Sequence, residues 1–455
     1  MPRQFTRRTF FAATSAVAAG LALDACSSSG SGSSGGTAAS VVTQADIEKA
    51  MKTPTTLTFW TWVPNISQEV AVFEQAYPAI KVNVVNAGQG EPEYTKLRTA
   101  LTAAKGAPDL AQIEYQEVPS FTITNSLVDL RPYGAAANSS KFVDWVWGQV
   151  TGPGGEIWAY PQDTGPMGML YREDIFAAHG ITVPATWDEF AAAARKLHAA
   201  DPSVYLTNIS DNEAGAWHGL MWQAGAKAYS GSGNKITLAV DDPASVKVAS
   251  YWGGLVQDGV VSTDPDFTDG WYSGLNSGKY ATWLTAAWGP VFMTGSAKGT
   301  AGKWRAAPLP QWAAGQQASG NWGGSTTAVI KGTQNPIAAA KFAEFLNTDP
   351  TTTKMFNTVQ TFFPSTKALL ADSSFTKQKD AFFGGQQVNQ LFAGISPTVN
   401  TGWQWPPFLD QSVTDWTSTV GKALASRGNA AASTHQWQSL LAGYAKNQGF
   451  DVSLG

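Results

Sequence analysis

Nineteen tryptophans stand in this chain of 455 residues, and several fall where a strand or helix is expected to end. Trp60, Trp62, Trp217, Trp283, Trp288, Trp322, Trp403 and Trp405 form that set. An indole offers a broad, rigid apolar face at low conformational cost. Carboxylates and amides take hydroxyls in charge-assisted or bidentate bonds. Glu114, Tyr115 and Asp163 stand at or just beyond strand ends. These residue types together suit stacking on the C–H face of a sugar ring and bonding to its equator of hydroxyls. The competing expectation for any one of these tryptophans is ordinary burial, the usual fate of the side chain.

Catalytic chemistry finds less support. The sequence holds no Gly-x-Ser-x-Gly elbow, no His-Glu-x-x-His and no Gly-rich phosphate loop. His179, His198, His218 and His435 are scattered without metal-ligand spacing. His198 reads as a surface residue, and His218 lies between two candidate tryptophans. Glycoside hydrolysis needs two carboxyls roughly 5–9.5 Å apart. Asp109, Glu114, Glu117 and Asp163 all lie near strand ends, but with 34 acidic residues such coincidences are cheap. Neither a catalytic residue, a metal nor a cofactor is expected.

The elements that must position the candidates follow from periodicity. Leu57–Trp62, Ile80–Val85 and Asp109–Ile113 read as strands. Between them, Ile66, Val70, Phe73 and Tyr77, then Tyr94, Leu97, Leu101 and Ala104, recur at helical spacing. This alternation argues a mostly parallel α/β sheet, whose ligands bind beyond the carboxyl ends of the strands. Thr186-Trp187-Asp188-Glu189 is a capping box opening a helix. Asp242-Pro243 caps another helix. Tyr160–Arg172 joins two hydrophobic elements through Pro161, Gly165 and Pro166, around the polar centre Gln162-Asp163-Thr164. On local pattern it is equally a tight turn within one sheet or a crossing between two lobes. No period of 20–50 residues repeats, which argues against a solenoid.

The chain is 43% hydrophobic and 14% charged with a net charge of -4, enough to bury a large core and without the basic footprint of nucleic-acid binding. Thr6-Arg7-Arg8-Thr9-Phe10-Phe11 resembles a twin-arginine export signal. The apolar run Phe11–Leu23 is shorter than the ~20 residues of a membrane span. Leu23-Asp24-Ala25-Cys26 is similar to a lipobox, with Asp24 in place of the usual small or apolar residue. Cys26 is the only cysteine and the expected lipid attachment point. Ser27–Gly36 is a flexible tether, and the stretch from Cys26 to Thr55 reaches on the order of 30 Å as a coil.

Several of these motifs resemble the family 1 extracellular solute-binding proteins, the sugar-capturing lipoproteins of bacterial ABC importers. The resemblance rests on the Trp-ended first strand, Pro108-Asp109-Leu110, Leu127–Tyr133 and Pro184–Glu189. It continues through Gly278–Trp283, Trp288-Gly289-Pro290, Trp304–Leu309, Gly323-Gly324-Ser325 and Phe362-Phe363-Pro364-Ser365. Ala287 stands where that family often has proline. The resemblance implies an α/β, two-lobe periplasmic-binding-protein type II fold with three hinge crossings, Tyr160–Arg172 holding the first, and a ligand cleft between the lobes. It divides the chain into an export signal (1–25), an anchor and tether (26–54), lobe 1 (55–162 plus 308–362) and lobe 2 (163–307 plus 363–455). It also places Trp288, Glu114-Tyr115 and Asn321–Gly324 at the ligand. The implied protein is an exported monomer, lipid-anchored to the outer face of the cytoplasmic membrane. It would capture a carbohydrate, an oligosaccharide on the aromatic count, and deliver it to permease subunits.

Three other readings remain open on sequence. One is a secreted carbohydrate-active enzyme using Glu114 and Asp163. Another is a binding protein for a non-sugar solute such as a polyamine. The third is a surface lipoprotein for a protein partner.

Overall fold

The computed structural model describes residues 42–455. Cys26, the arginine-bearing leader and the Ser/Gly run lie outside the described residues. Gln44–Lys52, expected as part of the tether, is instead a helix, closed at its start by a Thr43/Asp46 capping box. Met51 is buried and Ile47 packs beside it on the core that holds Phe342 and Phe345. The helix is nine residues long and mostly charged or polar, so no apolar period marks it in sequence.

Among the described residues eleven strands form three sheets. In chain order they are β1 (Thr55–Trp60), β2 (Ile80–Val85), β3 (Leu110–Glu114), β4 (Ala159–Pro161), β5 (Met167–Arg172) and β6 (Tyr229–Ser232). After them come β7 (Lys235–Leu238), β8 (Thr282–Ala286), β9 (Trp304–Pro308), β10 (Ser325–Val329) and β11 (Asp451–Leu454). The first sheet has the order β2-β1-β3-β10-β4. Its first three strands are parallel, as the strand–helix alternation predicts, and β10 runs antiparallel to both β3 and β4. The second sheet, β8-β5-β9, is antiparallel throughout. The third joins the β6–β7 hairpin to β11, a C-terminal strand in a region whose sequence reads as helical.

The fold is two-lobed, one lobe built on the five-stranded sheet and the other on β8-β5-β9. The chain leaves the first sheet at Pro161, paired with Thr326, and enters the second at Met167, paired with Ala286. The intervening segment is the middle of three crossings that bond side by side. Gly165 carbonyl accepts from Trp322 N–H at 2.8 Å, and Thr164 N–H donates to Phe363 carbonyl at 3.1 Å. The Thr164 hydroxyl donates to Pro364 carbonyl at 3.1 Å. Tyr160–Arg172 is therefore a crossing and not a turn within one sheet.

The expected helix signals hold. The Thr186 hydroxyl accepts from Glu189 N–H, with the carboxylate of Glu189 reaching back, and Trp187 is buried beneath. Asp242 caps Pro243–Gln257. The core is not divided cleanly by lobe. One hydrophobic cluster runs from Tyr94, Ile113 and Tyr115 beside the first sheet to Trp217, Trp252 and Trp416 beyond the crossings.

Candidate functional site

The carboxyl end of β3 delivers Glu114 and Tyr115 to the crossings. The Tyr94 hydroxyl donates to Glu114 Oε2 at 3.0 Å and accepts from Glu114 N–H at 3.0 Å. The Tyr115 hydroxyl donates to Asp163 carbonyl at 3.0 Å. The Asp163 carboxylate accepts from Ser325 N–H at 3.0 Å. Gly324 makes this approach possible: its φ is +97°, and a Cβ there would lie 2.8 Å from both Asp163 O and Tyr115 Cε2. Gln112 ties in the β1 end by accepting from Trp62 N–H at 3.2 Å and donating to Ser325 Oγ at 3.0 Å. Trp62 then meets Tyr94 edge-on, with centroids 6.1 Å apart.

From the second sheet, β8 leads to Trp288 at the start of helix Gly289–Ser296. Trp288 Nε1 donates to Trp322 carbonyl at 2.8 Å, and the two rings are 4.7 Å apart. Phe267 lies within 6.4 Å of Trp283, Trp288, Phe292 and Trp322, with φ at +63°. A non-glycine residue rarely adopts that conformation, and such strain concentrates at functional sites. Glu213 caps helix Ala214–Gln223 through Gly215 N–H. A Cβ on Gly215 would sit 2.5 Å from Trp322 Nε1 and 2.9 Å from Glu213 Oε1, so that carboxylate lies beside Trp322.

Burial raises the pKa of four carboxyls here. Asp163 and Glu213 are pushed up to about 7, the latter with repulsion from Asp266 and Glu114. Asp266, bonded by Asn208, also reaches about 7, and Glu114 moves in the same direction. Repulsion from Glu114 adds a smaller rise at both Asp163 and Glu213. Half-buried carboxyls among indoles form a surface for a polyhydroxylated ring, since each oxygen can accept a hydroxyl and each indole face can cover C–H.

The structure separates the sequence candidates. Trp62, Glu114, Tyr115, Asp163, Trp288, Trp322 and Gly324 converge. Trp283 is buried behind Trp288, its ring 5.8 Å away, and serves as support. Trp60 packs against the main core from β1 and joins none of these aromatic pairs among the described residues. Trp217 is buried against Trp416 at 5.8 Å, which removes it from the ligand surface. Trp403 and Trp405 belong to another cluster: Trp403 stacks on Trp222 at 5.2 Å and 8°, and Trp405 packs on His218. His218 itself is core. Its ring nitrogens meet Ala214 carbonyl and the Tyr229 hydroxyl, and burial lowers its pKa to about 4.

Glu213, Asp266 and Phe267 were not singled out by sequence. The only local hint was the cap position of Glu213. Asp266 and Phe267 sit in a loop whose approach to Trp322 no local pattern encodes. Among the described residues no three His, Cys, Asp or Glu side chains are grouped to hold a metal ion.

Fold and cleft together define a two-lobe binding protein of the periplasmic kind. The chain belongs to the bacterial extracellular solute-binding protein family, whose sequence model matches residues 59–353. It is similar to the ABC-transporter-associated binding protein of B. animalis subsp. lactis, solved with beta-1,6-galactobiose. The two are 31% identical with a TM-score of 0.73, over 88% of this chain and 99% of that one. The galacto-N-biose-/lacto-N-biose I-binding protein of Bifidobacterium longum, solved with lacto-N-biose, is 26% identical with a TM-score of 0.75, over 88% and 98%. The arabinooligosaccharide-binding protein of Halalkalibacterium halodurans is 25% identical over 78% of this chain and 81% of its own length.

Proposed function

We propose that this protein is the extracellular sugar-capturing component of an ABC importer, with an oligosaccharide as its ligand. The observation that carries the reading is the convergence of Trp62, Trp288 and Trp322 with Glu114, Asp163 and Glu213 where the chain crosses between lobes. Similar proteins of this family are solved with disaccharides in place. A ligand touching both lobes favours the closed state, because only differential contact shifts an equilibrium. Closure about the crossings then presents the loaded form to the permease.

The leader and Cys26 support export and attachment of a lipid. Lobe 1 comprises 55–162 with the segment from β10 to Phe362, and lobe 2 comprises 163–320 with 363–455. We read the second crossing at Asn321–Ser325, where the resemblance implied 307/308. Gln311 N–H bonds Ala185 carbonyl, and Met167 N–H bonds Gly320 carbonyl, so residues up to 320 stay with the second sheet.

A cationic solute such as a polyamine is the second reading. Its support is that Glu114, Asp163, Glu213 and Asp266 make no ion pair with Lys or Arg among the described residues.

Tryptophan fluorescence and thermal unfolding with mono- and oligosaccharides, spermidine and putrescine discriminate the two. A sugar that changes emission and raises the melting temperature supports sugar capture. A response to the amines alone replaces it with the second reading, and turnover of oligosaccharide by Glu114 and Asp163 would make the protein an enzyme.

A further inference from the structure

Trp403 and Trp405 line a cavity of about 500 Å³ that the Trp288 cleft does not include. One wall comes from residues 118–123 and 148–158 of the first lobe. The other comes from the β6–β7 hairpin and residues 402–407 of the second. The volume lies within the ~300–1,000 Å³ usual for small-molecule sites.

The lining combines indoles with polar groups, Glu156 and Lys235 among them. Trp405 stands at 76° to Trp403 with centroids 5.3 Å apart. Gln149 holds this pair from the opposite lobe: its Oε1 accepts from Trp405 Nε1 at 2.9 Å and its Nε2 donates to Trp403 carbonyl at 2.8 Å. Trp158, half-buried, adds a third indole from the first lobe. The Gln404 side-chain oxygen accepts from Gly231 N–H, which leaves its amide N–H₂ group available at the wall. The Ser230 and Ser232 hydroxyls lie along the hairpin.

Trp403 is the most enclosed of the three indoles in this lining. It is 5% exposed, it lines the cavity, and its indole N–H is buried without a hydrogen-bond partner.

We propose that this cavity is a second carbohydrate-binding site, separate from the Trp288 cleft and built from both lobes. Broad indole faces with amide and hydroxyl neighbours are the recognition chemistry of a neutral sugar ring. Because the walls belong to different lobes, a sugar here has contacts that depend on the angle between them. Occupancy of this site and closure over the first are therefore thermodynamically coupled.

Equilibrium dialysis of the protein against labelled lactose, maltose and arabinobiose at saturation tests this, on wild type, Trp158→Ala, Ser232→Trp and Trp288→Ala. At a concentration that just saturates wild type, the expected stoichiometry is two sugars per chain for wild type, one for Trp158→Ala and Ser232→Trp, and between one and two for Trp288→Ala, whose weakened site fills only in part. Ser232→Trp fills the cavity from an exposed hairpin position, so it answers even where Trp158→Ala fails to fold. One sugar per wild-type chain, unchanged in Ser232→Trp and reduced in Trp288→Ala, overturns the second site and leaves the proposed function standing. One sugar lost in Ser232→Trp and kept in Trp288→Ala upholds the cavity and removes Trp288 from the ligand. No sugar bound by any form overturns both.

Discussion

Trp288 Nε1 donates to the main-chain carbonyl of Trp322 at 2.8 Å, with the rings 4.7 Å apart at 73°. One residue follows the last turn of β8 and the other lies in a crossing, so this bond fixes an aromatic of the second lobe to the segment that joins the lobes. The bond uses the indole N–H and leaves the ring as the part of Trp288 that can meet a ligand.

Replacing Trp288 by alanine removes a stacking face and is expected to weaken sugar binding roughly 10- to 100-fold, about 1.4–2.8 kcal/mol. Trp288→Phe keeps an apolar face and loses less. Fluorescence titration checks both. Unchanged affinity in Trp288→Ala takes this residue out of the site.

The crossing itself is sterically closed at Gly165, where an added Cβ would lie 2.0 Å from Trp322 O. That contact is backbone and cannot swing aside. Gly165→Ala is expected to cost ~1–3 kcal/mol of stability and to lower the melting temperature, with sugar affinity falling as the crossings separate. A wild-type melting curve would show that the crossings move apart freely.

Stability should fall as pH rises. Asp163, Glu213, Asp266 and Glu117 are pushed up to about 7, and Glu93 to about 8, chiefly by burial. A folded value above the unfolded one gives stability that is complete below the unfolded pKa and lost as pH passes the folded pKa. The ligand-free protein is therefore expected to melt higher at pH 5.5 than at pH 8.5 (roughly the window those values set). Asp163→Asn should flatten the slope. A melting temperature that climbs over this range contradicts the assignment.

Arg98 meets carboxylates of both lobes. It bonds Glu117 at 2.8 Å and Glu91 at 3.2 Å on its own side, and approaches Asp410 of helix Leu409–Trp416 at 3.7 Å. Asp410 is 62% exposed, so Asp410→Ala is expected to change stability by less than about 0.5 kcal/mol. Arg98→Ala leaves the buried Glu117 without its cation and should cost ~1–3 kcal/mol at pH 8. It should cost less at pH 5.5, where Glu117 is protonated. Denaturant midpoints of the two variants at both pH values measure the difference.

The sequence alone settled much of the architecture. Strand–helix alternation from Leu57 to Ile113 and the Thr186/Glu189 and Asp242 caps are local signals, and the fold has each of them, whereas the stretch near Asp163 is locally ambiguous between a turn and a crossing. Of the residues the sequence nominated for a ligand, Glu114, Tyr115, Asp163, Trp288, Trp322 and Gly324 lie together at the crossings. Only the tertiary structure decided which tryptophans meet there. Trp217 and Trp283 are core, Trp403 and Trp405 form a cluster elsewhere, and Glu213, Asp266 and Phe267 come from positions without a local mark. The physical reason is that the indole serves a protein interior and a sugar face equally well. The side chain is the same in both cases, and what packs against its two faces is set by contacts far apart in the chain.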